Sequence, residues 1–271
     1  MRIIKKAKEF MQHKNNTNHS GEEHLTVKFA GREMQLPIAR QMEFLQAHSH
    51  GEASWRVYKA VAEFVRGYDF LDRFDKTVSI FGSARKGFND DVYREAYELG
   101  YNLAKMGFAV FTGGGPGVME AANKGAREAE GRSVGINIKL PPESRMQERK
   151  NQYIDESESF DFFFVRKVIL SFAAQFYIFF PGGFGTLDEL FEMLTLIQTK
   201  KTKPIPIILV NKAYWTPLLS WIEQTIYREN GAIDKEDMEI YHLVDSSEEA
   251  TALIRECLRN NSGVVKRLTS E

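Results

Sequence analysis

The sequence has very little cysteine, since Cys257 is the only one among 271 residues. A disulfide within the chain is therefore excluded, and so is a cysteine-rich metal site. A lone thiol is also compatible with a reducing compartment.

Long apolar runs are missing as well. No stretch approaches the roughly 20 apolar residues that a membrane-spanning helix needs. The basic N-terminus is followed only by short apolar pieces, which do not make the core of a signal peptide. We therefore expect a soluble, cytoplasmic protein with no membrane partner.

Neither sign of charge is in excess: Lys and Arg total 36, Asp and Glu total 37, and the formal net charge is -1. Proteins that coat nucleic acid carry a basic excess, so we expect no nucleic-acid partner. Among the six histidines, His48 and His50 form the closest pair, but no carboxylate-histidine set accompanies them. We predict no metal site and no cofactor.

Hydrophobic patterning predicts three parts of the chain. Residues 1–74 combine a mostly polar start with a helical extension, whose periodicity runs from Pro37 to Phe74. Residues 75–262 alternate short apolar strands with helices. That alternation predicts a Rossmann-like, doubly wound α/β domain with a mostly parallel sheet. Residues 263–271 are predicted to be a short tail.

The predicted strands of this domain share short, β-prone apolar sequences bounded by glycine or charged residues: Thr77–Phe81, Phe108–Thr112, Ser133–Ile138, Phe160–Val165, Phe176–Phe180, Ile205–Val210 and Ile240–Val244. A helix is expected to begin near Arg166. The fully apolar run 176–180 indicates a strand that is buried on both faces. The Phe162–Phe164 run and the Phe179–Phe180 pair are expected in the core, with a nucleobase contact as the alternative.

Two glycine-rich loops each follow an apolar strand and open a predicted helix. The first contains Gly113, Gly114, Gly115 and Gly117, and the second contains Gly182, Gly183 and Gly185. Glycine lets the backbone approach a ligand closely, and the helix N-terminus behind it offers unpaired N–H groups. Such loops favour phosphate binding, although the same glycines also serve tight turns without a ligand.

Neither loop fits the common nucleotide motifs. Val118 stands where the dinucleotide fingerprint has its third glycine, and the Gly-Lys-Ser/Thr end of a P-loop is absent from the sequence. A mononucleotide or sugar phosphate is therefore a better expected ligand than NAD or ATP.

The segment Pro181-Gly182-Gly183-Phe184-Gly185-Thr186-Leu187-Asp188-Glu189 resembles the Pro-Gly-Gly-x-Gly-Thr-x-x-Glu signature of the LONELY GUY (LOG) family. Members are nucleoside 5′-monophosphate phosphoribohydrolases that were long labelled lysine decarboxylases. Three further segments resemble family motifs: Arg166-Lys167, which lies 15 residues before Pro181, Gly113–Met119 and the first-strand turn Phe81-Gly82-Ser83-Ala84. The resemblance covers about residues 77–210.

The resemblance implies hydrolysis of the N-glycosidic bond of a nucleoside 5′-monophosphate to a free base and ribose 5-phosphate. AMP or an N6-modified, cytokinin-type AMP is the expected substrate. Glu189 would balance the oxocarbenium-like charge on the ribose, and Arg166 would be the cation of the site. Ser83, Lys167, Thr186 and the two glycine loops would bind the substrate and its phosphate. A homodimer or larger homo-oligomer, paired through the helix after the second loop, is also implied.

Several alternatives remain open at this point. Thr186-x-x-Glu189 is also a capping box, in which Glu189 would only cap its helix. Where the family often has Met and Asp, this chain has Phe163 and Gln175, and these departures bear on which base is accepted. The alternative function is a non-catalytic nucleotide or molybdenum-cofactor carrier on the same fold. The presence of both Arg166 and Glu189 favours the enzyme.

Overall fold

The computed structural model describes residues 24–29, 32–37, 50–85, 90–140 and 150–260. The chain divides into two compact units, residues 1–61 and residues 62–271. The predicted polar start at residues 1–23 and the predicted tail at residues 263–271 lie outside the described residues.

The first unit contains a β-hairpin that the sequence analysis did not predict. Strands β1 (His24–Phe29) and β2 (Arg32–Pro37) pair antiparallel. The alternation of Leu25, Val27 and Phe29 with polar residues is a strand signal, but the polar composition around it obscured it. Helix α1 (His50–Leu71) falls within the predicted helical extension, whereas its predicted first residue, Pro37, ends β2. Residues 38–49 of that prediction lie outside the described residues.

The second unit is built on a seven-stranded sheet in the order β6-β5-β4-β3-β7-β8-β9. All neighbouring strands pair parallel, which confirms the predicted Rossmann-like, doubly wound α/β fold. The strands are β3 (Thr77–Phe81), β4 (Ala109–Thr112), β5 (Ser133–Ile138), β6 (Glu156–Phe160), β7 (Tyr177–Phe179), β8 (Ile207–Val210) and β9 (Tyr241–Val244).

The helices that follow α1 are α2 (Asp90–Lys105), α3 (Val118–Glu128), α4 (Phe163–Ser171), α5 (Phe184–Gln198), α6 (Lys212–Trp221) and α7 (Ser247–Asn260). Helix α6 continues as a π-helix over Ile222–Glu229, and a 3-10 helix covers Lys235–Glu239. Apolar residues of α2, α3 and α7 form one core cluster with central strands of the sheet. None of the helices in the described ranges is both long and apolar enough to cross a bilayer.

The predicted strand Phe160–Val165 is wrong. The strand there is β6, whose polar residues 156–159 gave no strand signal, and helix α4 begins at Phe163. The buried Glu63 carboxylate of α1 fixes this start, because it accepts the Asp161 and Phe162 N–H groups at 2.8 and 3.2 Å. Negative charge at a helix N-terminus is stabilising.

The earlier start of α4 also changes the expected burial of two phenylalanines. Phe163 and Phe164 begin α4 and are 53% and 55% exposed, so they are not core residues. Phe179 and Phe180 are buried, as predicted.

Candidate active site

The strand order reverses between β3 and β7, because the chain proceeds from β3 to β4 on one side and later returns to β7 on the other. In doubly wound sheets, ligands bind in the crevice outside the carboxyl ends of the strands at such a reversal. Both glycine loops and the turn at Ser83 follow strands at this edge. The fold therefore brings the three predicted motifs together.

Ser83 connects these loops. Its N–H donates to the Pro181 carbonyl and its own carbonyl accepts the Val118 N–H, both at 3.0 Å. Its hydroxyl oxygen accepts the Arg85 N–H at 3.1 Å. Ser83 thus makes a turn that holds the loops together, and a contact between its hydroxyl and the substrate remains a prediction.

The first glycine loop is held in place by Asn151. Its side-chain amide donates to the carbonyls of Gly114 and Gly115 at 3.2 and 3.0 Å, and its backbone N–H donates to Gly114 at 2.9 Å. The Gly114 N–H donates to the Thr112 hydroxyl at 2.9 Å. Sequence reasoning missed Asn151, because it lies at the end of a charged segment that carried no recognised motif.

Gly117 requires glycine. Its φ is +72°, which L side chains rarely adopt, and a Cβ there would lie 2.3 Å from the Ser83 carbonyl oxygen. Helix α3 begins at the next residue, Val118. The close approach keeps the first glycine loop against the turn after β3.

The second glycine loop leaves an open helix N-terminus. Gly183 is the N-cap of α5, and the N–H groups from Gly183 to Thr186 have no partner within the helix. A Cβ at Gly183 or Gly185 would meet nothing within 4 Å, and Phe184 is 93% exposed. An exposed N-terminus of this kind is suited to an anion such as a phosphate.

Gly182 differs from the other two glycines of that loop. A Cβ there would lie 2.0 Å from the Thr186 hydroxyl oxygen, so Gly182 lets Thr186 pack against the loop. The Gly182 carbonyl accepts the hydroxyl of Tyr214 on α6 at 2.5 Å. Tyr214 follows β8, a strand with no site motif, and sequence reasoning did not single it out.

The capping-box alternative for Glu189 is wrong. A capping box needs its Ser or Thr at the N-cap and its Glu at N3. Because Gly183 is the N-cap, Thr186 is itself at N3 and Glu189 lies in the second turn of α5. Glu189 therefore has no capping role that would account for its burial.

Arg166 lies in the second turn of α4, not at its start as predicted. Its side chain is buried and donates to two carbonyls, from Nε to Ile136 at 2.8 Å and from a terminal nitrogen to Gly113 at 3.2 Å. The guanidinium thus joins the end of β5 to the first glycine loop. The exposed ring of Phe163 lies 5.9 Å from its central carbon.

Glu189 is a buried carboxylate next to a cluster of charges. Its side chain is 12% exposed, and Lys167 Nζ lies 3.7 Å from Oε2. Burial raises the pKa of Glu189 to about 7, with further upward contributions from Glu192 and Asp188 and downward ones from Lys167 and Arg166. A carboxyl group in this state exchanges its proton near neutral pH, as acid–base and charge-stabilising groups of active sites do.

Lys167 contacts three carboxylates of α5. Its ammonium lies 2.6 Å from Asp188, 3.1 Å from Glu192 and 3.7 Å from Glu189. Burial lowers the pKa of Lys167, but the three carboxylates outweigh burial and the pKa is raised. Lys167 is therefore protonated at neutral pH, and its contact with a phosphate remains a prediction.

The two departures from the family pattern lie at opposite edges of the sheet. Gln175 accepts the Thr77 N–H at 3.3 Å and donates to the Asp75 carbonyl at 2.7 Å, at the start of β3. It therefore lies at the opposite end of β3 from the Ser83 turn. Phe163 lies beside Arg166 at the candidate site.

A family model described as "Possible lysine decarboxylase" matches residues 119–254, about half of the chain. The chain belongs to this family. The LOG phosphoribohydrolases, which the sequence motifs predicted, are members of this family. Within the described residues, no group of three or more His, Cys, Asp or Glu side chains is placed to hold a metal ion.

Curated relatives carry phosphoribohydrolase names. A probable cytokinin riboside 5′-monophosphate phosphoribohydrolase of Oryza sativa is 26% identical over 183 residues, which cover 67% of this chain and 77% of the relative. The cytokinin riboside 5′-monophosphate phosphoribohydrolase of Mycobacterium tuberculosis is 29% identical over 178 residues, which cover 65% of this chain and 91% of the relative. Similarity to individual relatives thus agrees with the family match and with the site motifs.

Solved structures show the same fold. The molybdenum cofactor binding protein of Rippkaea orientalis matches with a TM-score of 0.52 and 24% identity, over 68% of this chain and 98% of that protein. At this identity the similarity establishes the fold and leaves the activity to the site residues.

Proposed function

We propose that the protein hydrolyses the N-glycosidic bond of a nucleoside 5′-monophosphate and releases a free base and ribose 5-phosphate. One observation carries the proposal. The buried guanidinium of Arg166 bonds the first glycine loop, and buried Glu189, whose pKa is raised to about 7 and which interacts electrostatically with Arg166, lies on the helix that follows the second loop.

The roles follow from the charge that develops in the reaction. As the bond to the base breaks, the ribose becomes oxocarbenium-like. Ionised Glu189 would balance that positive charge, and Arg166 would stabilise negative charge on the substrate. The open N-terminus of α5 would bind the 5′-phosphate, and binding energy from this remote group would help lower the barrier at C1′.

AMP or an N6-modified AMP is the proposed substrate. The named activity of the curated relatives supports a cytokinin-type nucleotide. Phe163, half exposed beside Arg166, would pack against the base.

The test is base release, measured by HPLC, from a panel of nucleoside 5′-monophosphates and their nucleosides. We expect AMP or an N6-modified AMP to be cleaved and adenosine to be a far poorer substrate, since it lacks the phosphate. Comparable kcat/KM for AMP and adenosine would refute the phosphate site. No base from any monophosphate at high enzyme concentration would refute catalysis and favour the carrier function.

We also propose a homodimer or larger homo-oligomer that pairs through α5. Its apolar side chains are only partly used by the core, with Leu190 buried, Leu187 and Leu194 half-buried, and Phe191 37% exposed. Exposed apolar faces often mark protein interfaces. A fully active monomer by light scattering at assay concentration would contradict the pairing.

A further inference from the structure

Asn137 is a buried amide with an unused acceptor. It lies on β5, it is 6% exposed, and its Oδ1 has no hydrogen-bond partner among the described residues. Buried polar atoms almost always have a partner, and an orphan one costs free energy. Oδ1 can therefore accept one further hydrogen bond, from an ordered water or from a bound molecule.

The amide lies directly against the first glycine loop. A Cβ on Gly114 would lie 2.3 Å from Nδ2 and 2.8 Å from Oδ1 of Asn137. The preceding residue, Ile136, supplies the carbonyl that anchors Arg166, whose guanidinium also bonds Gly113. Asn137 and Arg166 thus lie against neighbouring glycines of the first loop, Gly114 and Gly113.

The loop itself does not need this amide. The Gly114 carbonyl already accepts from Asn151, and the Gly114 N–H already donates to Thr112. Among the described residues, none of these loop hydrogen bonds uses Asn137 Oδ1.

The chemistry of Oδ1 selects the kind of group that would pair with it. An amide oxygen only accepts, so its partner must carry a hydrogen to donate. An ionised phosphate oxygen is an acceptor and does not fit. A ribose hydroxyl donates and accepts, and the 2′-hydroxyl is adjacent to C1′, where Arg166 and Glu189 would act.

We infer that Asn137 binds a ribose hydroxyl of the nucleotide, with Oδ1 as the acceptor, and so positions the sugar. The inference rests on the proposed function for the identity of the ligand. It divides the site, with the ribose bound beside the first glycine loop and the phosphate held at the second.

The experiment compares wild type with Asn137→Ala on AMP, 2′-deoxy-AMP and 3′-deoxy-AMP. We expect Asn137→Ala to lower kcat/KM for AMP about tenfold. It should have little effect on the analogue that lacks the bound hydroxyl. Its Tm should change little, because the acceptor that is removed has no partner among the described residues. Asn151→Ala is the matched control, and its Tm should fall because its amide is fully bonded.

Calorimetric measurement of ribose 5-phosphate binding separates the proposed function from the inference about Asn137. If wild type hydrolyses AMP and Asn137→Ala matches it in activity and in ribose 5-phosphate affinity, the inference about Asn137 is wrong while the proposed function stands. An equal loss on all three nucleotides with a lower Tm would show a structural amide and also overturn it. Wild type that neither cleaves a monophosphate nor binds ribose 5-phosphate overturns the proposed function and the inference together.

Discussion

Lys167 Nζ lies 3.7 Å from the Glu189 carboxylate, yet the pKa of Glu189 is raised to about 7. Burial outweighs the ion pair, and the ammonium is shared with Asp188 and Glu192 at shorter distances. The carboxylate is thus held where ionisation is unfavourable, as at many functional sites. The ionised form of Glu189 would be stabilised most when positive charge develops on a neighbouring ribose.

Glu189→Gln tests the charge directly. The amide keeps the size of the side chain but cannot balance an oxocarbenium-like ribose, so kcat for base release should fall about 100-fold or more. Nucleotide binding should change little, because the phosphate contacts are intact. A variant with normal kcat would show that the burial of Glu189 serves another purpose.

The same variant should change the pH dependence of stability in a defined direction. Native Glu189 binds its proton up to about pH 7, whereas the unfolded side chain, with its ordinary pKa of 4.5, releases it earlier. The native state therefore holds more protons between these values, and the free energy of unfolding falls as pH rises through that window. The loss is on the order of 3 kcal/mol.

Glu189→Gln removes this contribution, so its Tm should exceed that of wild type more at pH 8 than at pH 5. Thermal melts across that range measure the effect. A constant difference in Tm between the two proteins would argue against the raised pKa.

Gly183→Val tests the phosphate site at the start of α5. A side chain at Gly183 meets no atom within 4 Å, so the fold should be kept while access to the exposed N–H groups is blocked. We expect KM for AMP to rise about tenfold or more, with Tm near that of wild type. Gly182→Ala is the contrasting variant, because its Cβ would overlap Thr186, and its Tm should fall. Unchanged KM in a folded Gly183→Val protein would place the phosphate elsewhere.

Most of the sheet could be predicted because its central strands are short and largely apolar, and because β3 and β4 run directly into glycine. Edge strand β6 escaped prediction, since its residues 156–159 are polar and its pairing depends on β5 alone. The register of α5 could not be predicted either, because Thr186-x-x-Glu189 fits a capping box and only the structure places the N-cap at Gly183.

Some residues of the candidate site could be predicted from the sequence, and others could not. Residues inside motifs, such as Arg166 and Glu189, could be found by resemblance. Asn137, Asn151 and Tyr214 act through contacts between distant segments, which are visible only after folding. Single polar residues outside a motif carry no signal of such contacts.

Tyr214→Phe tests whether the second glycine loop is positioned from α6. The phenol donates to the Gly182 carbonyl, and the change removes this hydrogen bond while the ring stays packed on Trp215. We expect kcat/KM for AMP to fall severalfold, with a loss of about 1 kcal/mol in stability. The slow hydrolysis of adenosine should be unaffected, and an equal loss on both substrates would contradict a role in phosphate positioning.

Removing a positive and a negative neighbour of Glu189 should shift its pKa in opposite directions. The Lys167 charge lowers the pKa of Glu189 and the Asp188 charge raises it. If ionised Glu189 is the active form, kcat should rise with pH through about 7 in wild type. Lys167→Met should shift this limb to higher pH, and Asp188→Asn should shift it to lower pH. Any effect of Lys167→Met on phosphate binding would appear in KM, so kcat–pH profiles at saturating AMP isolate the titration. Shifts in the same direction for both variants, or a limb that neither variant moves, would show that Glu189 does not set the pH dependence.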